Sequence, residues 1–275
     1  MYNPPSKNYL LNGRGNPAAH TMTTTLFSII TVSRNSSATI KQTLDSVLNQ
    51  TLVAHEYIVI DGASTDGTVE IIKSYESRFR DKGIPFQWVS ETDKGIYQAM
   101  NKGVSRAQGE IIGIINSDDW YEADTLASVA AHYSSHSRPA IVYGMLKSFY
   151  RGHPYAIGAI FHRFLTLTTI FHASTFVTKR VYDTIGLFAE CYRIAADYDF
   201  FLRAQERGFT FSFCPVVLAN CSDGGASRKG TQDQKEKASV QLSHGLISHN
   251  EYRFRIALAF LKSMISTLRE KPRYN

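Results

Sequence analysis

Cysteine is scarce in this 275-residue chain. Cys191, Cys214 and Cys221 are odd in number and form no C-x-x-C pair. That argues against a disulfide framework and a thiolate zinc site, and makes a reducing cytoplasm the expected compartment. No apolar run reaches the roughly 20 residues a bilayer-spanning helix needs. The first 25 residues lack the apolar core of a secretion signal. No G-x-G-x-x-G follows the first apolar run, and neither a Walker sequence nor G-x-S-x-G occurs, which disfavours a dinucleotide dehydrogenase, a P-loop enzyme and an α/β-hydrolase. Aromatic and basic residues do not interleave and no nucleic-acid-binding motif is found, so no nucleic-acid partner is expected.

What remains is a globular composition, 43% hydrophobic and 20% charged, on a chain long enough for one sizeable core. Thirty Lys and Arg against 24 Asp and Glu give a net charge of +6, which suits phosphorylated ligands or an anionic membrane surface. Residues 1–25 are dominated by Asn, Pro, Gly and Thr without periodicity and read as a disordered extension, with Met22 a candidate native start. Residues 226–275 read as a mobile loop followed by basic helices. A stripe of Phe254, Ala257, Leu258, Leu261, Ile265 and Leu268 is expected to pack on the domain or, alternatively, to lie on an anionic membrane.

Between these ends the pattern alternates. Apolar β runs at 26–32, 55–60, 86–89 and 110–115 are each followed by a helical pattern, at about 36–50, 67–75, 96–106 and 123–133. Alternation of this kind predicts an α/β fold with a mostly parallel sheet and right-handed crossovers. Three of the runs end in acidic loops, at Asp61 to Asp66, at Asp93, and at Asp118 with Asp119. In a parallel sheet those ends share one edge, where open α/β sheets bind ligands. Adjacent carboxylates there suit a divalent cation carrying a phosphorylated ligand, because Mg²⁺ is usually held by one or two carboxylates plus substrate phosphates. Single Asp residues also cap helices, and that alternative stands for each taken alone. The second half is less regular, with strands expected near 140–143 and 209–218 and an amphipathic helix opened by Ala195, Ala196, Asp197, Tyr198 and Asp199.

These segments resemble a known family. Ser28 to Val32, the D-G-x-S-x-D-G-T run from Asp61 to Thr68, the D-K-G-I-Y run from Asp93 to Tyr97 with Ala99 and Asn101, Asn116 with Asp118 and Asp119, and the A-D-Y-D run at 196–199 occur in the order seen in family 2 glycosyltransferases of the GT-A fold. The nearest likeness is to bacterial enzymes of capsular, colanic-acid or O-antigen polysaccharide synthesis. The resemblance spans about residues 26–225. It implies one GT-A domain with a nucleotide-sugar half (26–120) and an acceptor half (121–225).

The resemblance also implies roles. Thr31 and Val32 line the nucleoside pocket, Asp61 accepts a hydrogen bond from the base, Asp93 and Gly95 border the nucleotide, and Asp118 lies near the ribose. Arg34, Ser64, Asp66 and Asn101 belong to the same donor site. Asp119 binds Mn²⁺ or Mg²⁺, with Asp118 and His172 as further candidates, and Asp197 is the catalytic base. The donor is a nucleotide-diphospho-sugar of the UDP, GDP or dTDP type. The acceptor is a glycan or lipid-linked glycan, reached from the cytoplasm or from the inner face of the plasma membrane. Trp120, His172, Asp199, Arg228 and Lys229 are candidates for contact with acceptor or diphosphate, each with a purely structural alternative. The chain departs from the family in having Ser33, Arg34 and Asn35 after the first strand and one carboxylate fewer than the common triple-Asp form.

Such residues suit inverting transfer. The departing diphosphate requires charge stabilisation and the acceptor hydroxyl must lose a proton. A non-catalytic sugar-nucleotide or glycan-binding scaffold would keep the crevice without needing Asp197. A nucleotidyltransferase would normally bring a Gly-rich loop after the first strand, where this chain has none.

Overall fold

The structure is a computed structural model and describes residues 25–222 and 231–269. The expected N-terminal extension and the candidates Arg228 and Lys229 lie outside the described residues. The first half runs β1 (Phe27–Ser33), α1 (Ile40–Leu48), β2 (Glu56–Asp61), α2 (Thr68–Ser74), α3 (Glu76–Asp81), β3 (Phe86–Ser90), α4 (Ile96–Arg106), β4 (Ile111–Asn116), β5 (Asp119–Tyr121) and α5 (Thr125–Ser135). The second half runs β6 (Ile141–Tyr150), β7 (His153–Gly158), β8 (Thr175–Thr178), α6 (Lys179–Ile185), α7 (Ala196–Glu206), β9 (Phe211–Cys221), α8 (Thr231–Ser243) and α9 (His249–Arg269), with single 3₁₀ turns at His162–Phe164 and His172–Ser174.

The strands form one sheet in the order β3-β2-β1-β4-β8-β6-β9-β5, with β7 paired to β6. The first four strands are parallel neighbours, which puts the carboxyl ends of β1, β2, β3 and β4 on one edge. Beyond β4 the sheet turns mixed: β8 is antiparallel to both β4 and β6, while β9 is parallel to β6.

All seven residues of β1 and all six of β2 are buried, because helices cover both faces of the sheet. Successive residues of one apolar run therefore feed two cores. Ile29, Val59, Ile111 and Ile115 join Tyr57, Phe79, Leu126 and Leu218 on one face. Ile30, Ile58, Ile60, Ile112 and Ile114 join Met100, Tyr198, Phe200 and Phe201 on the other. Gly113 makes the β4–β8 contact possible, since a Cβ there would come within 2.5 Å of the Phe176 ring.

Three differences from the sequence pattern have physical causes. Asp119 begins a short strand rather than ending a loop, because β9 returns antiparallel to it, pairing Asp119 with Cys221 and Tyr121 with Ala219. The helix after Asp66 stops at Ser74, and α3, a separate helix, follows it with Phe79 buried against Tyr57 and Phe86. Residues 231–269 form two helices broken at Gly245, whose φ of +67° ends the first.

The helix α8 is part of the folded unit. Gln241 Nε2 lies 3.2 Å from the Tyr198 hydroxyl on α7 and also donates to the Thr166 and Leu167 carbonyls. In α9 the buried and half-buried positions are Tyr252, Ile256 and Ala259, and the Tyr252 hydroxyl reaches Ser239 on α8. At helical spacing this sets the apolar stripe on the opposite side, with Phe254 67%, Leu258 40% and Leu261 52% exposed. The expectation that the stripe packs on the domain is thus corrected for its described part. No helix among the described residues is long and apolar enough to cross a membrane.

Candidate active site

A cleft of about 620 Å³ opens at the carboxyl-terminal edge of the parallel strands. Its walls come from the ends of β1 and β4 and from the loops entering α1 and α4: Val32 to Ser36, Asp93 with Gly95 and Ile96, and Asn116 to Asp118. A cavity of about 740 Å³ lies at the opposite edge, between Gln108 to Glu110, Arg138 and Lys179 to Arg180. Parallel-sheet geometry favours the first, since ligands of open α/β sheets sit outside the carboxyl ends of the strands.

The sequence candidates divide between this cleft and its scaffolding. Val32, Arg34, Asp93, Gly95 and Asp118 line it. Arg34 is the cation of that lining among the described residues and lies across Gly62, where a Cβ would touch its side chain at 3.4 Å. Thr31 does not reach the cleft: it is fully buried and takes a 2.9 Å hydrogen bond from the Tyr57 hydroxyl.

Asp61 is fully buried and committed to its own chain. It accepts from the Ser33 hydroxyl at 2.9 Å, the Ser64 hydroxyl at 2.5 Å, the Ser64 amide at 2.9 Å and the Ser90 hydroxyl at 2.7 Å. Four donors fill the acceptor capacity of a carboxylate. Ser64 also accepts from the Asn35 amide, and Asn35 Oδ1 accepts from the Thr65 amide. Asp66 accepts from the amides of Ser37 and Thr68 and from the Thr68 hydroxyl, and these bonds hold its carboxyl well below the usual range. Ser64 and Asp66 therefore staple the loops after β1 and β2 together, and Asn35 and Ala63 accept positive φ within them.

The helix α4 joins the two halves of the site. Gly95, Ile96 and Ala99 face the cleft. Tyr97 and Asn101 reach the segment that leads into α7. Asn101 Nδ2 donates to the Phe188 carbonyl at 2.9 Å and to Glu190 at 3.2 Å, and its Oδ1 accepts from the Phe188 amide. Asn101 is thus a clamp on that segment and not part of the cleft lining. The Tyr97 hydroxyl lies 2.6 Å from the Ile194 carbonyl and 3.1 Å from Asp197 Oδ1. Tyr97 belongs to a motif whose resemblance assigned it no role, and only its neighbours in space reveal one.

Asp197 opens α7, and burial lifts its carboxyl to about 6 against the pull of the Tyr198 amide, the Tyr97 hydroxyl and Lys237. Asp199, two residues on, is spent elsewhere, accepting from Arg203 at 2.8 Å and facing His244 Nε2 at 3.0 Å. The two carboxylates are therefore not a joint metal motif. His172 sits on the 3₁₀ turn with its ring edge-on to Phe188, and burial lowers it to about 4, which keeps it neutral. Trp120 packs on Phe149 with ring centroids 4.9 Å apart.

The residues of the cleft fit a hard cation with phosphate ligands. Asp118 lines it, and burial raises its carboxyl. Asp93 Oδ2 and Asn116 Oδ1, also of lining residues, are buried with no protein hydrogen-bond partner. Asp119 is nearly buried one residue deeper, its backbone carbonyl fixed by the Thr43 hydroxyl at 2.7 Å. No cluster of three or more His, Cys, Asp or Glu that could hold a metal occurs among the described residues, so substrate oxygens would complete the shell.

Likenesses to known proteins bear on the family and the fold. The family model for Glycosyl transferase family 2 matches residues 28–201. A PGL/p-HBAD biosynthesis glycosyltransferase of Mycobacterium bovis (strain BCG / Pasteur 1173P2) is 34% identical over 208 residues, covering 74% of this chain and 79% of the relative. S. aureus TarS 1–349 in complex with UDP-GlcNAc superposes with a TM-score of 0.64 at 17% identity, over 86% of this chain and 71% of that one. A Pyrobaculum calidifontis mannosyltransferase in complex with GDP-Man and Mn²⁺ gives 0.59 at 21%, over 81% and 64%. The two structures show the fold. The match over most of the domain shows that the chain belongs to glycosyl transferase family 2 and is a glycosyltransferase drawing on a nucleotide sugar.

Proposed function

We propose that this glycosyltransferase moves a sugar with inversion from a nucleotide-diphospho-sugar to a hydroxyl of a surface glycan, with Asp197 as the base. The observation that carries the reading is the half-buried Asp197 carboxyl, raised to about 6 and linked through Tyr97 and α4 to the cleft that Gly95 and Asp118 line. A base near this value is ionised at neutral pH yet keeps substantial proton affinity. The acceptor hydroxyl passes its proton to Asp197 as its oxygen bonds to the anomeric carbon, and the bond from that carbon to the diphosphate breaks.

On the donor side Arg34 faces the diphosphate, and Asp118 with Asp119 would hold Mn²⁺ or Mg²⁺. Such a cation supplies charge neutralisation to the leaving nucleoside diphosphate. Val32, Asp93 and Gly95 border the nucleotide, as they border the cleft.

The acceptor we favour is lipid-linked, of the capsular, colanic-acid or O-antigen kind. Support comes from the outward stripe of α9, flanked in sequence by Arg253 and Arg255, and from exposed Phe164 and Leu167 beside Arg163. An apolar stripe edged by cations complements an anionic bilayer surface, which supports a working position on the inner face of the plasma membrane.

The deciding experiment is nucleoside diphosphate release from a panel of UDP-, GDP- and dTDP-sugars with Mn²⁺ or Mg²⁺. Release from one donor, abolished by EDTA and reduced at least about a hundredfold in Asp118→Ala and Asp119→Ala, is expected. Tight metal-dependent binding without release, with lipid-linked acceptors supplied, would favour the scaffold reading.

A further inference from the structure

The helix that carries Asp197 begins without a cap of its own. Its N-cap position is Ala195, whose side chain accepts nothing, and within the first turn the Tyr198 amide turns to Asp197 Oδ1 at 2.9 Å. Alanine is among the poorest N-caps because it leaves the first amides unsatisfied. The amides just ahead of the helix are held by a residue from another element. Glu236 Oε2, on α8, accepts the backbone N–H groups of Arg193 at 2.9 Å, Ile194 at 2.7 Å and Ala195 at 3.2 Å. Its Oε1 accepts from Gln232 Nε2 at 2.8 Å, and the residue is buried. A carboxylate at this end of a helix also meets the positive pole of its dipole.

The central peptide of this turn is gripped from two sides. The Ile194 N–H goes to Glu236 and the Ile194 carbonyl goes to the Tyr97 hydroxyl, which also reaches Asp197. Ile194 lies three positions before Asp197, so rotation of that turn moves the carboxylate bodily. No motif in the sequence marks Glu236.

We propose that Glu236 is a positioning residue for glycosyl transfer: it locks the 193–195 turn and so fixes the point from which Asp197 meets the acceptor hydroxyl. This rests on Asp197 being the base. Glu236 bonds to the turn and to Gln232 on its own helix, and the donor cleft has no wall from α8 among the described residues. Its loss therefore acts on turnover and not on donor binding.

The full chain is assayed with UDP-GlcNAc, UDP-glucose, GDP-mannose and dTDP-rhamnose as donors and Mn²⁺, comparing wild type, Glu236→Ala, Glu236→Gln, Asp197→Asn and the Glu236→Ala/Asp197→Asn double variant. Hydrogen exchange over residues 192–200 is followed in parallel. Glu236→Ala is expected to lower kcat about ten- to a hundredfold, the cost of misplacing a catalytic group by about an ångström, with the donor KM within about twofold. Exchange of the 193–195 amides speeds up. Glu236→Gln, which keeps a carbonyl acceptor, restores most of kcat, and the double variant is no slower than Asp197→Asn. Wild-type kcat in Glu236→Ala, no rescue by Gln, or a multiplicative loss in the double variant overturns the positioning role alone. Full turnover in Asp197→Asn overturns the base and with it this role. Glu236→Asp, shorter by one methylene, replaces the Ala variant if that chain does not fold.

Discussion

The Tyr97 hydroxyl stands 3.1 Å from Oδ1 of Asp197 and 2.6 Å from the carbonyl of Ile194, so a side chain of α4 holds the proposed base on α7. The carboxyl is raised chiefly by burial, and the Tyr97 bond opposes that rise. The logarithm of kcat/KM should therefore climb with pH along a limb centred near 6. Tyr97→Phe should shift that limb upward, since it removes a donor to the ionised form. A limb near 4 in the wild type would show that the Asp197 carboxyl is not raised or that another group is titrating.

The same shift has a stability consequence. A carboxyl whose folded value of about 6 exceeds its ordinary value of 3.8 penalises the folded state above pH 6. That penalty fades between pH 6 and 4 and is absent below 4. Asp197→Asn should then stabilise the protein by about 1–3 kcal/mol at pH 8 and by nothing below pH 4, as read from urea midpoints. Equal midpoints at pH 8 would contradict the burial cost.

Asp61 accepts four hydrogen bonds that tie the ends of β1, β2 and β3. Asp61→Asn replaces one acceptor oxygen by an NH₂ group facing donors, and should cost about 2–3 kcal/mol in urea unfolding. A base-contacting role alone would instead change nucleotide preference and leave the midpoint where it was.

Gly103 lies in α4 where a Cβ would come within 2.5 Å of Ile30 Cγ2. Alanine gains about 1 kcal/mol in helix propensity against about 1–3 kcal/mol for overpacking a filled core. Gly103→Ala should therefore lower stability by about 1 kcal/mol, and a rise in the urea midpoint would mean that Ile30 can yield.

Phe254, Leu258 and Leu261 face away from the side on which α9 packs. The protein should float with phosphatidylglycerol/phosphatidylcholine vesicles, less well in high salt. Phe254→Ser/Leu258→Ser/Leu261→Ser should lose at least tenfold in partitioning without a change in melting. A concentration-dependent dimer that the triple variant abolishes, with no flotation, would assign the stripe to a second copy instead.

Sequence alone determined the parallel half of the fold and the edge that carries the site. Fully apolar runs such as 111–115 have nowhere to go but a sheet covered on both faces, and a polar loop after each run marks its carboxyl end. It also marked Asp93 and Asp118, because acidic residues at those ends have a chemistry that loops seldom require, while Asp197 stood out through the family resemblance of the A-D-Y-D run. Tertiary structure alone decided what each acid does. Asp61 and Asp66 read like Asp118 in the sequence, yet serines and backbone amides from neighbouring loops consume them, and those partners lie up to 29 residues away. Asp199 resembled Asp197 until Arg203 and His244 closed on it. Burial and long-range hydrogen bonding set the proton affinity and the free lone pairs of a carboxylate, and neither exists until α4, α7 and α8 meet.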